Sequence, residues 1–413
     1  MKVDRTLAME PPEGVVNLLD EMVALGLDPW LVGGCVRDRL LGLEPRDWDA
    51  AFRGTPEDLD RLAGGHLGGD RSGIAYGTLR LRAGEADFEV TLFRSEGDYL
   101  DGRRPESVRF EASLEEDLAR RDYTLNALAW NVQTHQLTDL WGTLDTLRWD
   151  PVVIRTCSDP RESFNRDGLR ILRGFVLFGR LLEAGRKADW SPGLLDEAFR
   201  QASNMKHASA GVLGREMGKI WDSGRAGDVL KEMNRTGILG ILLDARSERF
   251  DDVRWEQLNR CSNGLMVQAG LLAMSGLSAV TLGRCLGADH KRVLLLEELL
   301  EHRTELHQAG GRGLARRLGA LGPRKGGLLL GLLTMLDENV SVSDESVSEG
   351  VWFLQDLNIS GHDVEALGIE GPLVGQILRQ LLDEVQSGKT INRKERLLHR
   401  VRSLKEEYGR NQN

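Results

Sequence analysis

The chain has 413 residues, of which 41% are hydrophobic and 29% charged, and its formal net charge is −10. This balance excludes an intrinsically disordered or collagen-like chain, and the length exceeds what one hydrophobic core usually serves, so we expect several globular domains. No apolar stretch in the sequence approaches the length of a membrane span, and the N-terminal residues lack the apolar segment of a signal peptide. We therefore expect a cytoplasmic protein with no membrane partner.

Four cysteines, Cys35, Cys157, Cys261 and Cys285, lie far apart in the sequence. They form no CxxC pair and no spacing typical of a zinc site. We expect free thiols in a reducing compartment.

Taken in chain order, the first 155 residues predict a mixture of helices and strands. Residues 13–27 have the period of an amphipathic helix, and WLVGG is typical of a short buried strand that ends in a turn. The chain is then predicted to be helical as far as Gly42, and DWDAAF alternates in the manner of a strand. Two further strand pairs are predicted: TLRLRAG joins DFEVTLFR at Gly84, and VQTHQLTDLWG contains a hairpin.

Beyond Pro160 the pattern changes to long segments of helical period that are rich in Leu, Arg and Ala. We therefore predict an α+β fold, in which a mixed-sheet head is followed by helical neck, body and tail domains. The predicted divisions, placed at breaks in the pattern, are 1–158 for the head, 159–236 for the neck, 237–345 for the body and 346–413 for the tail.

A glycine turn, an arginine and two aspartates follow one another early in the chain. Gly33 and Gly34 end a strand where a helix begins, so bare backbone N–H groups can face an anion, and Arg37 adds a fixed positive charge one turn later. Asp47 and Asp49 lie two apart on the next strand, so they share a face and repel each other unless a divalent cation such as Mg²⁺ neutralises them. Each feature alone is common, but their order is typical of metal-assisted nucleotidyl transfer.

Glu89, within the apolar run DFEVTLF, has two interpretations. It can project from a neighbouring strand as a third catalytic carboxylate beside the aspartate pair. The same alternation also fits an exposed residue on a half-buried strand, and the pattern does not choose between them.

The segment GGCVRDRLLGLEPRDWD resembles the first motif of the class II tRNA nucleotidyltransferases and of the related bacterial poly(A) polymerases, within the polymerase β-like superfamily. The resemblance implies that Asp47 and Asp49 bind magnesium. It further implies that Gly34 and Arg37 contact the nucleotide phosphates.

RRDYTLNALAW begins with charge and ends as an apolar run that can anchor it in a core. Taken alone, it is typical of a capped helix start with solvated charges. It resembles the second motif of the family, which implies that Arg121, Asp122 and Asn126 hold the sugar and phosphates of the incoming nucleotide. The preceding segment, FRSEGDYLDGRRPESVRF, has the composition of a mobile loop, and the resemblance implies that such a loop serves the final, adenosine-adding stage.

Asp167, Arg170 and Arg173 lie at positions i, i+3 and i+6 of a predicted helix, which suits either a surface ion pair or a base-reading set. Cytosine and adenine each present an amino donor beside a ring-nitrogen acceptor, so an aspartate paired with an arginine accepts both and mismatches uracil and guanine. The segment FNRDGLRILRGFVLFGRL resembles the fourth motif of the family, which implies that Asp167 and Arg170 are the base-reading pair and that Arg173 matches a further arginine. Arg166 stands in place of the leading glutamate of that motif, and Val176 in place of a later arginine.

Two further segments resemble family motifs. LTDLWGTLDTL resembles the third motif, which is implied to act as a hinge, and Thr143 stands where the second glycine of that motif is usual. GREMGKIW, with Arg215, Glu216 and Lys219, resembles the fifth motif, which is implied to be a structural helix.

The C-terminal part, beginning at ISGHDVEALGIEG, resembles the tail segment of the family, which is implied to bind the acceptor and TΨC arms of tRNA. From Lys389 onward, eight Lys or Arg residues stand against three Glu. This excess of about +5 suits an RNA backbone or, equally, a solvated terminal helix.

Together with these patterns, the family resemblance implies template-independent addition of CCA to the 3′ end of tRNA from CTP and ATP, with magnesium as the metal. An enzyme that adds only the terminal A and a poly(A) polymerase are the nearest alternatives. An alternative from a different class of protein is an RNA- or nucleotide-binding module that has kept the fold but lost catalytic activity.

Overall fold

The computed structural model describes residues 9–64, 70–83, 86–96, 108–110, 112–261, 263–308, 314–336, 354–386 and 389–410. The predicted turn at Gly84, most of the predicted mobile loop and the predicted division at 345 lie outside these residues.

The chain divides into two compact units. One consists of Met1–Asp251 and Thr281–Ala288, and the other of Asp252–Val280 and Asp289–Asn413. The division into head, neck, body and tail stays a prediction.

The first unit contains the strands. In the described residues these are β1 (Trp30–Val32), β2 (Trp48–Phe52), β3 (Thr78–Ala83), β4 (Ala86–Leu92), β5 (Arg94–Glu96), β6 (Val108–Phe110), β7 (Leu128–Asn131), β8 (Leu137–Asp139), β9 (Val152–Ile154) and β10 (Ala188–Trp190). Six of them form one sheet in the order β3-β4-β2-β1-β7-β8. Within this sheet β2 and β4 pair in parallel, and the other neighbours are antiparallel.

Strand β2 divides its side chains between the two faces of the sheet. Trp48, Ala50 and Phe52 belong to the main hydrophobic core. Ala51 belongs to a second, smaller apolar cluster. Because side chains alternate along a strand, Asp49 shares the face of Ala51 and points away from the main core.

The first unit also contains helices, some of which contact strands of the sheet. Those of the first unit are α1 (Glu13–Ala24), α2 (Gly34–Leu40), α3 (Pro56–Gly64), α4 (Leu114–Ala119), α5 (Thr143–Thr146), α6 (Pro160–Arg166), α7 (Leu169–Glu183), α8 (Leu194–Arg200), α9 (Ala210–Trp221), α10 (Ala226–Arg235) and α11 (Ile238–Leu242). Helix α6 begins where a sequence signal predicts it, because Pro160 occupies the first turn and Asp159 accepts hydrogen bonds from two backbone N–H groups. Helix α7 buries Leu172, Phe175 and Leu177 and packs against α9 and α10.

In its described residues the second unit is helical. It contains α12 (Trp255–Leu258), α13 (Gly264–Ser275), α15 (His290–Gln308), α16 (Leu314–Met335), α17 (Gly361–Glu365), α18 (Pro372–Gln386) and α19 (Lys394–Arg410), and α14 (Ala279–Leu286) starts there and ends in the first unit. Leucines of α15 and α16 form one core cluster, and residues of α17 to α19 form another. In the described part of the chain, no helix combines the length and apolarity needed to span a membrane.

The predicted α+β class is confirmed: a mixed sheet is followed by helices. Strand β10 lies beyond Pro160, where the sequence indicated helices alone. It is three residues long, and Trp190 at its end stacks on Phe178 at 5.6 Å between ring centroids. All four cysteines are unpaired in the structure, and burial raises the pKa of Cys35 to about 12.

Candidate active site

The turn between β1 and α2 brings residues of two predicted motifs together. Gly33 has φ of 78°, a conformation that favours glycine, and its N–H donates to the Leu128 carbonyl. A Cβ atom at Gly33 would lie 2.9 Å from Nη1 of Arg121 and 3.9 Å from Oδ2 of Asp49. Glycine therefore lets the arginine and the acidic strand approach the turn from two sides.

Asp49 lies opposite Glu89 in the parallel register of β2 and β4. Burial and the charge of Glu89 raise the pKa of Asp49 to about 7, although the charge of Arg121 opposes them. The Glu89 carboxylate accepts a hydrogen bond from Nε of Arg80 at 2.7 Å. Ionisation of Asp49 is therefore unfavourable at this position, and the neighbouring carboxylate of Glu89 is paired with Arg80.

The acidic pair is the candidate metal site. Among the described residues, no three or more His, Cys, Asp or Glu side chains are grouped to hold a metal ion. The candidate ligands remain the two predicted from the sequence, Asp47 and Asp49, whose carboxylate oxygens are the donors that Mg²⁺ prefers. The charge of Asp47 adds to the raised pKa of Asp49, so a divalent cation would stabilise the ionised form of both. This donor set fits magnesium.

The second motif forms a hydrogen-bonded network with the first. Asp122 accepts hydrogen bonds from Asn126 Nδ2 at 3.1 Å and from the N–H of Tyr123 at 2.7 Å. Asn126 Oδ1 in turn accepts a hydrogen bond from Arg37. Burial opposes ionisation of Asp122, but the charge of Arg173 and the bond from Asn126 hold its pKa below the usual value. Asp122 therefore remains an acceptor at neutral pH.

Arg121 is held in place by a buried aspartate. Asp117 lies on α4, and its carboxylate pairs with Arg121 at 3.2 Å and with Arg120 at 2.5 Å. Burial alone would raise the pKa of Asp117, yet the two guanidinium charges lower it. This pairing leaves Nη1 of Arg121 beside Gly33.

The predicted base-reading residues are arranged differently from the expected pair. Asp167 accepts a hydrogen bond from Arg173 Nη1 at 3.2 Å, and its other oxygen accepts from the N–H of Leu169 at the start of α7. Arg173 also lies 3.9 Å from Asp122 and 3.7 Å from Glu216. Arg173 is therefore surrounded by three carboxylates.

Arg170 points elsewhere. Its guanidinium donates to Ser163 Oγ at 3.0 Å and to the Arg120 carbonyl at 2.9 Å. The residue is 7% exposed. Its described contacts are those of a residue that ties α6 and the second motif to α7.

These elements enclose one cleft. Its described lining consists of Gly33, Gly34, Arg37, Asp38, Arg46, Asp47, Asp49, Arg121, Asp122, Asn126, Arg173, Val176, Leu177, Arg180, Glu216 and Lys219. Of the predicted residues, Glu89, Asp167 and Arg170 are not among these lining residues. The lining carries six cationic side chains and five carboxylates, so the cleft is nearly neutral. A bound polyphosphate would therefore need an additional cation.

Several lining residues were not predicted as site residues, and three of them left a signal in the sequence. Arg180 lies seven residues after Arg173, so the helical period places both on one face of α7. Glu216 and Lys219 belong to the segment that resembles the fifth motif, where a structural role alone was implied. Arg46 left no such signal, because its place in the cleft depends on contacts with the Lys219 carbonyl at 3.1 Å and with Glu183 at 2.9 Å.

Comparison with protein families gives a match for the part of the chain that contains the first two motifs. Residues 29–152 match the family model of the poly A polymerase head domain. This part of the chain is therefore similar to that head domain, and the resemblance predicted from its motifs is confirmed.

The curated relatives narrow the similarity to one kind of enzyme. The chain is 43% identical over 161 residues to the CCA-adding enzyme of Streptococcus gordonii and 42% identical over 156 residues to that of Oceanobacillus iheyensis. Each match covers 38% of this chain and 38% of the relative. The sequence similarity thus spans well under half of the length of these relatives.

Solved structures extend the similarity in fold. The crystal structure of the Bacillus stearothermophilus CCA-adding enzyme in complex with CTP has a TM-score of 0.67 at 23% identity and covers 97% of this chain and 100% of its own. A complex of a CCA-adding enzyme with ATP has a TM-score of 0.58 at 18% identity and covers 96% of each chain. At these identities the likeness concerns the fold.

Proposed function

We propose that this protein adds the nucleotides of CCA to the 3′ end of tRNA without a template, using CTP and ATP and releasing pyrophosphate. The observation that carries the proposal is the convergence of Asp47, Asp49, Arg37 and Arg121 around one glycine turn in one cleft. The similarity of the head to CCA-adding enzymes supports the same reaction.

Asp47 and Asp49 would hold magnesium, which when bound lowers the pKa of an attacking hydroxyl and steadies the charge of a leaving pyrophosphate. Arg37 and Arg121 would bind the triphosphate, because both guanidinium groups are oriented by acidic or amide partners in the cleft. Asp122 supplies acceptor oxygens for ribose hydroxyls. In this arrangement the nucleotide sugar would lie beside the acidic pair.

Base selection would lie with Asp167 and Arg173. Asp167 is an acceptor and Arg173 a donor, and together they match the amino group and ring nitrogen of cytosine or adenine. Uracil and guanine present the reverse order of donor and acceptor. A wrongly paired buried group costs about 1–3 kcal/mol, which gives useful discrimination from one pair.

The partner RNA would be bound through the C-terminal part of the chain. Helix α19 exposes Arg396 and Arg402, and Arg393 precedes it. Its other face packs on α17 and α18 through buried Leu397, Val401 and Leu404. One face thus builds the core while the other offers positive charge to a phosphate backbone. We assign this surface to the tRNA acceptor and TΨC arms.

A single assay tests the proposed activity. Purified protein is given tRNA that ends before CCA, tRNA that ends in CC, and an unstructured RNA, each with CTP, with ATP, or with both. We expect one or two C additions on the first RNA with CTP alone, completion to CCA when ATP is added, and one A on the second RNA.

The other outcomes identify the alternatives. Addition confined to the tRNA ending in CC would show an enzyme that adds A alone. Long A tracts on unstructured RNA would show a poly(A) polymerase. Absence of pyrophosphate release from every combination would show a binding module without chemistry and would refute the proposal.

A further inference from the structure

We infer that Arg180 of helix α7 is a positioning residue, which acts through Asp38 to fix the guanidinium of Arg37 for the triphosphate. The inference deepens the proposed function and rests on it for the identity of the ligand. Arg180 lies within the segment FNRDGLRILRGFVLFGRL that resembles the fourth motif, but it is not one of the predicted site residues.

Asp38 joins the two arginines. Its Oδ1 accepts hydrogen bonds from Nε and Nη2 of Arg37, at 2.9 and 2.7 Å. Its Oδ2 accepts from Nη2 of Arg180 at 2.6 Å. Arg37, Asp38 and Arg180 are 8%, 3% and 8% exposed, so these bonds are formed away from bulk water and are screened little by salt.

This arrangement fixes the direction of Arg37. Two of its nitrogens are bound by Asp38, and Nη1 donates to Asn126. If Arg180 were removed, Oδ2 of Asp38 would be a buried acceptor without its donor. Because an unsatisfied buried carboxylate is costly, we expect Asp38 to turn and to draw the Arg37 guanidinium away from its present direction.

The same arginine connects to the acidic strand. Nη1 of Arg180 pairs with Oε2 of Glu183 at 2.7 Å, and Oε1 of Glu183 pairs with Arg46 at 2.9 Å. Arg46 directly precedes Asp47 in the sequence. Helix α7, which also carries Arg173, is thereby tied to both the phosphate-binding arginine and the segment that leads into the acidic pair.

A double-mutant cycle separates this role from a direct or structural one. Binding of inorganic triphosphate with magnesium is measured by calorimetry for the wild type, Arg180→Met, Arg37→Met and the double variant. If Arg180 acts through Arg37, Arg180→Met weakens binding about tenfold in the wild-type background and less than about twofold once Arg37 is absent. Arg180→Lys keeps the positive charge but has a single donor nitrogen, and we expect it to bind triphosphate more tightly than Arg180→Met but less tightly than the wild type.

The matched control is Arg235→Met, which removes an arginine that forms an ion pair with Glu232 on α10 and does not line the described cleft. It should leave triphosphate affinity unchanged. Thermal unfolding of every variant checks folding. If Arg180→Met does not fold, the cycle is run with Arg180→Lys, for which a smaller loss with the same dependence on Arg37 is expected.

The inference would be overturned if Arg180→Met weakened triphosphate binding equally in the wild-type and Arg37→Met backgrounds, or in neither of them. It would also be overturned if the wild type did not bind triphosphate. The transfer assay is read separately. If the cycle shows coupling but no nucleotide is added to any RNA, the proposed function fails and the positioning role stands. If nucleotides are added and the losses are additive, the positioning role fails alone.

Discussion

The carboxylate of Asp167 pairs with Arg173, one turn further along α7 than Arg170. Arg170 instead binds Ser163 and the Arg120 carbonyl. Selection of the base is therefore expected to depend on Arg173, and stability of the helical packing on Arg170.

Replacing Arg173 with Met should relax base selection. The donor that matches the ring nitrogen of cytosine or adenine is lost, so the ratio of kcat/KM for CTP to that for UTP should fall by roughly tenfold or more. Steady-state incorporation into tRNA that lacks CCA measures both values. The control is Arg166→Met, which removes an exposed arginine 3.7 Å from Glu162 and should leave the ratio unchanged. A ratio unaltered by Arg173→Met would contradict the assignment.

Asp49→Asn should lower nucleotide transfer to below about a hundredth of the wild-type rate, since a neutral amide cannot offset the charge of a divalent cation. Pyrophosphate release measures the rate, and circular dichroism checks the fold. Transfer above a tenth of the wild-type rate would show that this carboxylate does not hold the metal.

The same variant should change stability with pH when divalent metal is chelated. The pKa of Asp49 is about 7 in the folded chain against an ordinary value of 3.8, so the unfolded chain releases this proton first as pH rises. Asp49 therefore destabilises the fold increasingly from about pH 4 to pH 7 and fully above it. We expect Asn to raise the midpoint of thermal unfolding at pH 8 and to change it little at pH 4. The opposite order would contradict the raised pKa.

Gly174→Ala should destabilise the first unit by about 1–3 kcal/mol. A Cβ atom there would overlap the Tyr123 hydroxyl, which donates to the Arg170 carbonyl at 2.7 Å. Urea unfolding gives the change in free energy. The matched control is Gly218→Ala in α9, where a Cβ atom meets nothing within 4 Å, and there we expect a gain of up to about 1 kcal/mol.

Replacing Arg393, Arg396 and Arg402 with Gln should weaken tRNA binding and flatten its dependence on salt. The slope of log affinity against log salt concentration is negative, and each phosphate contact that is lost should reduce its magnitude by up to about 0.9. Filter binding at several salt concentrations measures both effects. Addition of nucleotides at saturating tRNA should be preserved, because these residues lie outside the described lining of the cleft. An unchanged slope would place the RNA elsewhere.

The motifs of the head could be predicted from the sequence because spacing alone fixes which side chains share a face. Asp49 falls on the face opposite the main core because Trp48 and Ala50 alternate into it. The glycine turn is equally local, since Gly33 requires a positive φ at a strand end.

Contacts between distant segments could not be predicted in this way. Arg170 and Arg173 are both plausible partners of Asp167 by spacing, and the choice depends on Ser163 and on a backbone carbonyl 50 residues away in sequence. The ion pair between Asp38 and Arg180 spans 142 residues. The helical period predicts the face of α7 on which Arg180 lies, but it does not predict that Asp38 contacts Arg180 there.

The segment Thr281–Ala288 belongs to the first compact unit, although the residues before it, Asp252–Val280, belong to the second. Leu286 and Gly287 pack against Gly214 and Gly211 of α9, where the backbones are too close to admit a side chain at Gly214. During synthesis, this part of the surface of α9 must stay uncovered until about 70 further residues have been made. A fragment cut at Asp251 would retain the proposed active-site residues yet leave that patch bare, so it should aggregate more readily than the whole chain.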